Sequence, residues 1–285
     1  MPTRMTRREF AQAAGAVAAG TALTSAATKA YAGQFTGRIK KAVKYHMISG
    51  DMSVIEEFKL LKEVGFDGVE IRVQDKVPVE EVAAAIKETG LPVHGVVLGS
   101  VEGIETAVDL AKGYGATSVL LVAGRVDENM PYAKNYEQTQ AKIRAAIPYA
   151  EEQQIKLLVE NVWNNFLLSP LEMRRYIDEL DSEWVGVYFD VGNVVRFAWP
   201  EHWIPVLGDR IGKLDIKEYS RDKQNNEGLW KGFNVKIGEG SIDWAAVRAE
   251  LENIGYSGWA TAEVSGGDRE RLADIAARMN KVLDL

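Results

Sequence analysis

Eight short runs of β-branched and apolar residues recur along this chain from Lys40 onward, most of them followed by a stretch of helical periodicity. The runs cover residues 42–46, 68–72, 93–98, 118–122, 156–160, 185–190, 211–217 and 259–263. Helical patterns cover 53–64, 79–89, 104–114, 136–153, 170–180 and 243–254, and 268–283 closes the chain. Strands that read as continuous apolar runs, separated by helices, form parallel sheets covered on both faces. An open doubly wound sheet is the alternative, but no Gly-rich dinucleotide loop follows the first run. Eight βα units over residues 33–285 match the roughly 250 residues of a closed (β/α)8 barrel. The expectation is an α/β chain forming one TIM barrel domain. The longest irregular stretch, 218–241, follows the seventh strand and should lie over the C-terminal mouth, where barrel chemistry is found. Its polar run 221–227 reads as a solvated loop.

Residues 1–32 are expected to stand apart. Thr6-Arg7-Arg8-Glu9-Phe10 is a twin-arginine pattern, an Ala/Gly/Thr-rich stretch follows, and Ala30-Tyr31-Ala32 reads as a small-x-small cleavage site before Gly33. This is the layout of an export signal peptide. It is too weakly apolar for a membrane span, which wants about 20 strongly apolar residues. A periplasmic or secreted protein is expected, with no span after signal removal. Taking away 1–32 removes four basic residues and one acidic, leaving 30 basic and 40 acidic residues from the 34 and 41 of the whole chain. A net charge of −10 argues against a nucleic-acid partner. It suits a neutral small molecule. With no cysteine, any metal must be held by oxygen or nitrogen.

Four carboxylates end or nearly end four successive strands: Glu160, Asp190, Asp215 and Glu263. A carboxylate at the exit of a buried strand is costly unless neutralised. On a closed barrel these four would converge, and unpaired they could not all stay ionised. A hard divalent cation such as manganese or magnesium would satisfy an all-oxygen shell. The competing explanation is a carboxylate ring bridged by Lys213 or Lys217 without metal. Other candidates are weaker. His46 ends the first strand, Glu70 the second, and His202 lies after the sixth; each is a candidate substrate contact. Trp163, Trp199, Trp203 and Trp230 follow strands, where aromatic faces can stack on sugar rings. His94, at the start of the third strand, reads as structural.

The segments Leu158-Val159-Glu160-Asn161, Phe189-Asp190-Val191-Gly192-Asn193, Leu214-Asp215-Ile216-Lys217 and Ala262-Glu263-Val264 resemble the xylose-isomerase-like TIM barrel superfamily, which includes sugar epimerases, hydroxypyruvate isomerases and inosose dehydratases. Gly65-Phe66-Asp67-Gly68-Val69-Glu70-Ile71 and Ile237-Gly238-Glu239-Gly240-Ser241-Ile242-Asp243-Trp244 are similar to its signposts, and the likeness spans residues 40–285. The resemblance implies a Glu–Asp–His–Glu metal site, manganese named first with magnesium or cobalt as alternatives. It implies that Glu160 and Glu263 are metal ligands and also paired acid/base groups, that Asp190 is a ligand, and that Lys217 lies near substrate. Asp215 stands where the family has His, and Asn193 where an Asp-x-x-His motif ends. Both departures leave the substrate open.

These readings together lead to a metal-dependent isomerase or epimerase working on a non-phosphorylated sugar or keto-sugar through an enediolate. Expulsion of a β-substituent from the same enediolate would make it a lyase or dehydratase on a 3-keto-glycoside. A non-catalytic periplasmic sugar-binding barrel is a further alternative, and metal-dependent DNA repair conflicts with the acidic chain. Partners reduce to a small sugar, with a homo-oligomer left open.

Overall fold

A computed structural model of the chain describes residues 32–285. Apart from its last residue, the expected signal peptide lies outside them. Eight parallel strands close into a barrel: β1 Ile39–Lys44, β2 Gly68–Arg72, β3 Val93–Val97, β4 Ser118–Leu121, β5 Lys156–Glu160, β6 Val185–Asp190, β7 Ile211–Ile216 and β8 Gly258–Ala262. Closure comes from β1 pairing with β8, Ile39 opposite Gly258 through Val43 opposite Ala262. The expected closed barrel is the fold of the chain.

The helices among the described residues are α1 Val54–Glu63, α2 Val79–Thr89, α3 Ile104–Tyr114, α4 Tyr132–Gln153, α5 Pro170–Asp178, α6 Pro200–Leu207, α7 Arg221–Glu227, α8 Trp244–Asn253 and α9 Arg269–Leu283. Their starts follow local chemistry. Ser53 accepts a hydrogen bond from the Glu56 amide while the Glu56 carboxylate accepts one from the Ser53 amide, a reciprocal cap that opens α1. Ser220 caps α7 in the simpler way, accepting from the Lys223 amide. None of these helices is long and apolar enough to cross a membrane.

Three expectations need correction. The polar run 221–227 is a two-turn helix, because the Ser220 cap satisfies orphan amides in a segment with no apolar periodicity. No helix is expected between β6 and β7, yet α6 is there; Pro200 occupies its first turn, where proline is tolerated, while Pro200 and Pro205 disguise its pattern. β1 ends at Lys44, so His46 lies past it in the 3-10 turn Tyr45–Met47.

Alternation along the strands sorts two environments. Val69, Ile71, Leu214, Ile216, Ala260 and Ala262 join the apolar shell between sheet and helices. Inside the barrel Leu120, Leu158 and Tyr188 form a small apolar layer. Buried polar groups contact one another across the interior. Lys213 donates to His94 Nδ1 at 3.0 Å, so that nitrogen is the acceptor and Nε2 carries the proton that it gives to Thr261 Oγ1 at 3.1 Å. Burial, then Lys213, holds His94 well below its usual pKa, and it stacks on Trp259 with centroids 4.5 Å apart. The structural reading of His94 fits this place.

Candidate active site

Successive strands deliver the four carboxylates to one point at the C-terminal mouth. Glu160 is the last residue of β5, Asp190 the last of β6, Asp215 next to last in β7, and Glu263 follows β8. Asp190 and Asp215 are direct partners in register. One oxygen from each of the four lies within 4.8 Å of the others. Asp190 and Asp215 are fully buried and Glu160 nearly so, while Glu263 keeps 31% of its side chain exposed.

Each carboxylate has a different environment. Asp190 Oδ1 accepts the amides of Gly192 and Asn193, both at 2.8 Å. The Asn161 side chain brackets the Asp190 peptide, donating to its carbonyl at 2.8 Å and accepting its amide at 2.9 Å. Lys217 Nζ stands 3.0 Å from Asp190 Oδ2 and 2.6 Å from Glu263 Oε2. Lys44, from β1, stands 2.9 Å from Glu70 Oε2, 3.0 Å from Asp215 Oδ2 and 3.8 Å from Glu263 Oε1. Glu160 has only a long hydrogen bond, from Asn193 Nδ2 at 3.4 Å.

The pKa directions follow. Burial raises Glu160 well above the carboxylate range, with Glu263 and Asp215 adding to the effect. Burial also raises Asp215 and Asp190, with Lys44 and Lys217 respectively acting against it. Burial pushes Glu263 up as well, but Lys217 and Lys44 outweigh it and bring this group down to about 2. Lys44 loses charge stability by burial yet is held well above its usual value by Asp215 and Glu70. So in the metal-free site the surroundings push Glu160 and Glu263, two carboxyls of one site, in opposite directions, which is the arrangement of an acid and a base.

This cluster of acidic residues can hold a metal ion. With five carboxylates, counting Glu70, against the ammoniums of Lys44 and Lys217, the ionised cluster carries three uncompensated negative charges. Asp190 Oδ2 and Asp215 Oδ1 are buried without a hydrogen bond; for Asp190 Oδ2 the Lys217 contact is an ion pair only. Buried oxygens of this kind demand a cation or a proton. An all-carboxylate set suits a hard ion better than zinc.

A cavity of about 260 Å3 opens above the carboxylates, lined by Glu160, Val162, Trp163, Asn193, Lys217, Trp230, Phe233 and Glu263. A larger hollow of about 590 Å3 lies around the N-terminal ends of β5 and β6, with Lys156 and Arg210 in its wall, far from the carboxylates. Convergence of titratable groups singles out the smaller one.

The profile of the xylose isomerase-like TIM barrel family matches residues 58–282. The chain belongs to that family. It is 24% identical over 265 residues, 79% of this chain and 89% of the relative, to L-ribulose-5-phosphate 3-epimerase UlaE of Salmonella paratyphi C. Over 42 residues, 14% of this chain and 16% of the relative, it is 57% identical to the 3-dehydro-D-guloside 4-epimerase of Escherichia coli. The fold superposes on the apo crystal structure of the 3-keto-D-glucoside 4-epimerase YcjR from E. coli with a TM-score of 0.70, at 18% identity, covering 87% of this chain and all of that one. Sugar epimerases are thus among the relatives of this xylose isomerase-like barrel.

Among the other sequence candidates, Asn193, Lys217 and Trp163 line the cavity, and Trp163 donates to the Asn193 carbonyl at 2.8 Å. Glu70 sits within β2, with no exposed surface, as the anchor of Lys44. His46 and His202 are exposed and outside the cavity wall, His202 beside Trp199. Trp203 is core. Sequence reading passes over Lys44, Asn161, Phe233 and Glu218. Lys44 carries a faint signal, a lysine inside the strand run Ala42-Val43-Lys44. Glu218 accepts from Trp244 Nε1 at 2.9 Å and the Gly238 amide at 2.8 Å. It thereby ties the segment 237–244 under the mouth, which gives that signpost a physical cause.

Proposed function

We propose that this protein is a sugar epimerase or isomerase acting on a non-phosphorylated keto-sugar, with Glu160 and Glu263 as its proton-transfer pair. The observation that carries this is the opposed state of two carboxyls facing one cavity, on a barrel whose relatives include sugar epimerases. A divalent ion, manganese in our reading, held by Glu160, Asp190, Asp215 and Glu263 would supply Lewis acidity toward the substrate carbonyl.

The chain's own residues do the rest. Glu263, kept ionised by Lys217 and Lys44, takes the proton next to the carbonyl. Glu160, kept protonated by burial and oriented by Asn193, delivers a proton to the opposite face. Return to the starting state moves a proton from Glu263 to Glu160, and the part-exposed Glu263 can exchange with water. Among the described residues Lys217 is the only basic one lining this cavity, and it is committed to Asp190 and Glu263. Within this cavity a phosphoryl group finds no uncommitted arginine or lysine, which favours a non-phosphorylated substrate. The twin-arginine pattern adds an extracytoplasmic location to the proposal.

The test is proton NMR of the manganese-loaded protein with free ketoses and 3-keto-glycosides in D2O. Deuterium appearing at the carbon beside the carbonyl, with the sugar intact, is the expected result. Glu160→Gln and Glu263→Gln should each lower turnover by at least about a hundredfold. Full activity in either would sink the pairing. Loss of the group β to the carbonyl would make the enzyme a lyase, and binding without any exchange would make it a sugar-binding barrel. For location, Arg7 and Arg8 both changed to Lys should leave the chain in the cytoplasm on cell fractionation; unchanged export would refute the signal.

A further inference from the structure

Trp230 is 68% exposed, more than the other large apolar side chains at the surface of the described residues. Keeping an indole in water forgoes about 1.5 kcal/mol or more of burial energy, and the fold does not leave it there by slack. The turn that carries it, Leu229–Phe233, is clamped from beneath by Tyr219 and its neighbour: the Tyr219 phenol donates to the Leu229 carbonyl at 2.8 Å, and the Ser220 amide donates to the Gly232 carbonyl at 2.8 Å. A Cβ on Gly232 would strike the Tyr219 ring, so the turn lies flat on it.

Trp163, Trp230 and Phe233 form an aromatic tripod at one wall of the reaction cavity. Trp163 lies 4.9 Å from Trp230 and 4.8 Å from Phe233 between centroids. The other members are engaged: the Arg196 guanidinium sits 5.0 Å over Trp163, and Lys217 Nζ 5.3 Å over Phe233. Trp230 is the ring left open, and it borders the same cavity as Glu160 and Glu263. A sugar held over the carboxylates therefore has, beside it, one free rigid aromatic face, while Lys217 is engaged by Asp190 and Glu263 and Arg196 by the Trp163 ring. An exposed apolar surface continuous with a polar site marks a binding surface.

We infer that Trp230 is a subsite for the second half of the substrate: the enzyme takes glycosides, and the flat ring of the aglycone stacks on this indole while the glycosyl ring occupies the carboxylates. The inference rests on the proposed sugar chemistry and narrows its substrate class from keto-sugars, free or glycosidic, to glycosides alone. Trp230 touches no reacting atom, so it governs affinity and specificity.

The test is calorimetric titration of the manganese-loaded protein with two non-reacting probes, phenyl β-D-glucopyranoside and methyl β-D-glucopyranoside, for wild type, Trp230→Ala and Trp230→Phe. Stacking of one ring predicts that wild type binds the phenyl glucoside at least about fivefold more tightly. Trp230→Ala should erase that preference and leave the methyl glucoside unchanged, and Trp230→Phe should retain most of it. Equal binding of both probes by wild type, or an equal loss for both in Trp230→Ala, would overturn the subsite. Binding of neither probe would also overturn it. Deuterium exchange with a keto-sugar, measured in parallel, separates the two readings. Exchange without probe discrimination sinks the subsite alone; discrimination without exchange leaves the subsite and removes the epimerase.

Discussion

Lys44 is a buried ammonium set among three carboxylates. Its ammonium is 1% exposed and stands between Glu70 and Asp215, each with no exposed surface. Replacing it with an apolar side chain leaves both carboxylates buried and unpaired, a loss of about 3 to 5 kcal/mol for breaking one side of a buried pair. Lys44→Met should therefore lower the urea midpoint strongly. Lys44→Met combined with Glu70→Gln should recover part of that loss, because one of the orphaned charges is then gone. A double variant no more stable than Lys44→Met would show that Glu70 is not the partner that matters. A lysine inside an apolar strand run is the one faint signal; its partner is not announced, since Lys44 and Glu70 are 26 positions apart in sequence and meet only because β1 and β2 pair in that register. The four ligand candidates were legible for the opposite reason: each lies at the end of its own apolar run, and a closed barrel brings strand ends together.

At the scale of elements, the segment after β7 shows how a loop of polar composition becomes part of a site. Its helix α7 and the turn Leu229–Phe233 pack around Tyr219, whose phenol oxygen lies 2.7 Å from Gln224 Oε1 and shares its one proton between that oxygen and the Leu229 carbonyl. Gly232→Ala would push the turn off the Tyr219 ring and carry Trp230 and Phe233 with it. The expected outcome is a rise in KM with little change in kcat, because the carboxylates are fixed by strands and not by this turn. A fall in kcat with KM unchanged would mean that the turn takes part in the chemical step. Periodicity could not find α7, which has no apolar face. Length and position did locate the segment over the mouth. The specific contact, a glycine against a tyrosine thirteen residues earlier, is invisible without the fold.

For the molecule as a whole, metal and proton compete for the same oxygens. Burial holds Glu160 and Asp215 above the usual carboxylate range. Above the unfolded carboxylate pKa of about 4, the metal-free fold thus keeps protons that the unfolded chain has lost, and stability contributed by these groups declines as pH rises. Glu263, brought down to about 2, has the opposite sign: its contribution is complete above the unfolded value and fades only as pH falls toward 2. It is constant near neutrality. A bound divalent ion displaces the proton on Asp215, while Glu160 keeps the one it delivers, so the ion's effect should grow with pH. The rise in melting temperature produced by saturating manganese should be larger at pH 7.5 than at pH 6. Comparing loaded with metal-free protein at each pH largely removes the separate titration of His94 and Lys213. At a hundredfold excess over Kd the ion should add about 2.7 kcal/mol. A shift independent of pH, or none, would place the ion elsewhere or nowhere.

Sequence by itself determined the barrel, because eight apolar runs spaced by helical patterns leave few ways to bury both faces of a parallel sheet. It also determined which carboxylates meet, since strand ends are set by where apolar runs stop. Tertiary structure decided what each carboxylate is. Whether a buried acid keeps its proton depends on the charges within a few ångströms. Lys44 at the end of β1 and Lys217 just past β7 reach Glu263 from either side of β8, while the Glu160 carboxyl is left with one long hydrogen bond. Those distances belong to the closed barrel, and no linear pattern of residues encodes them in a form that can be read directly.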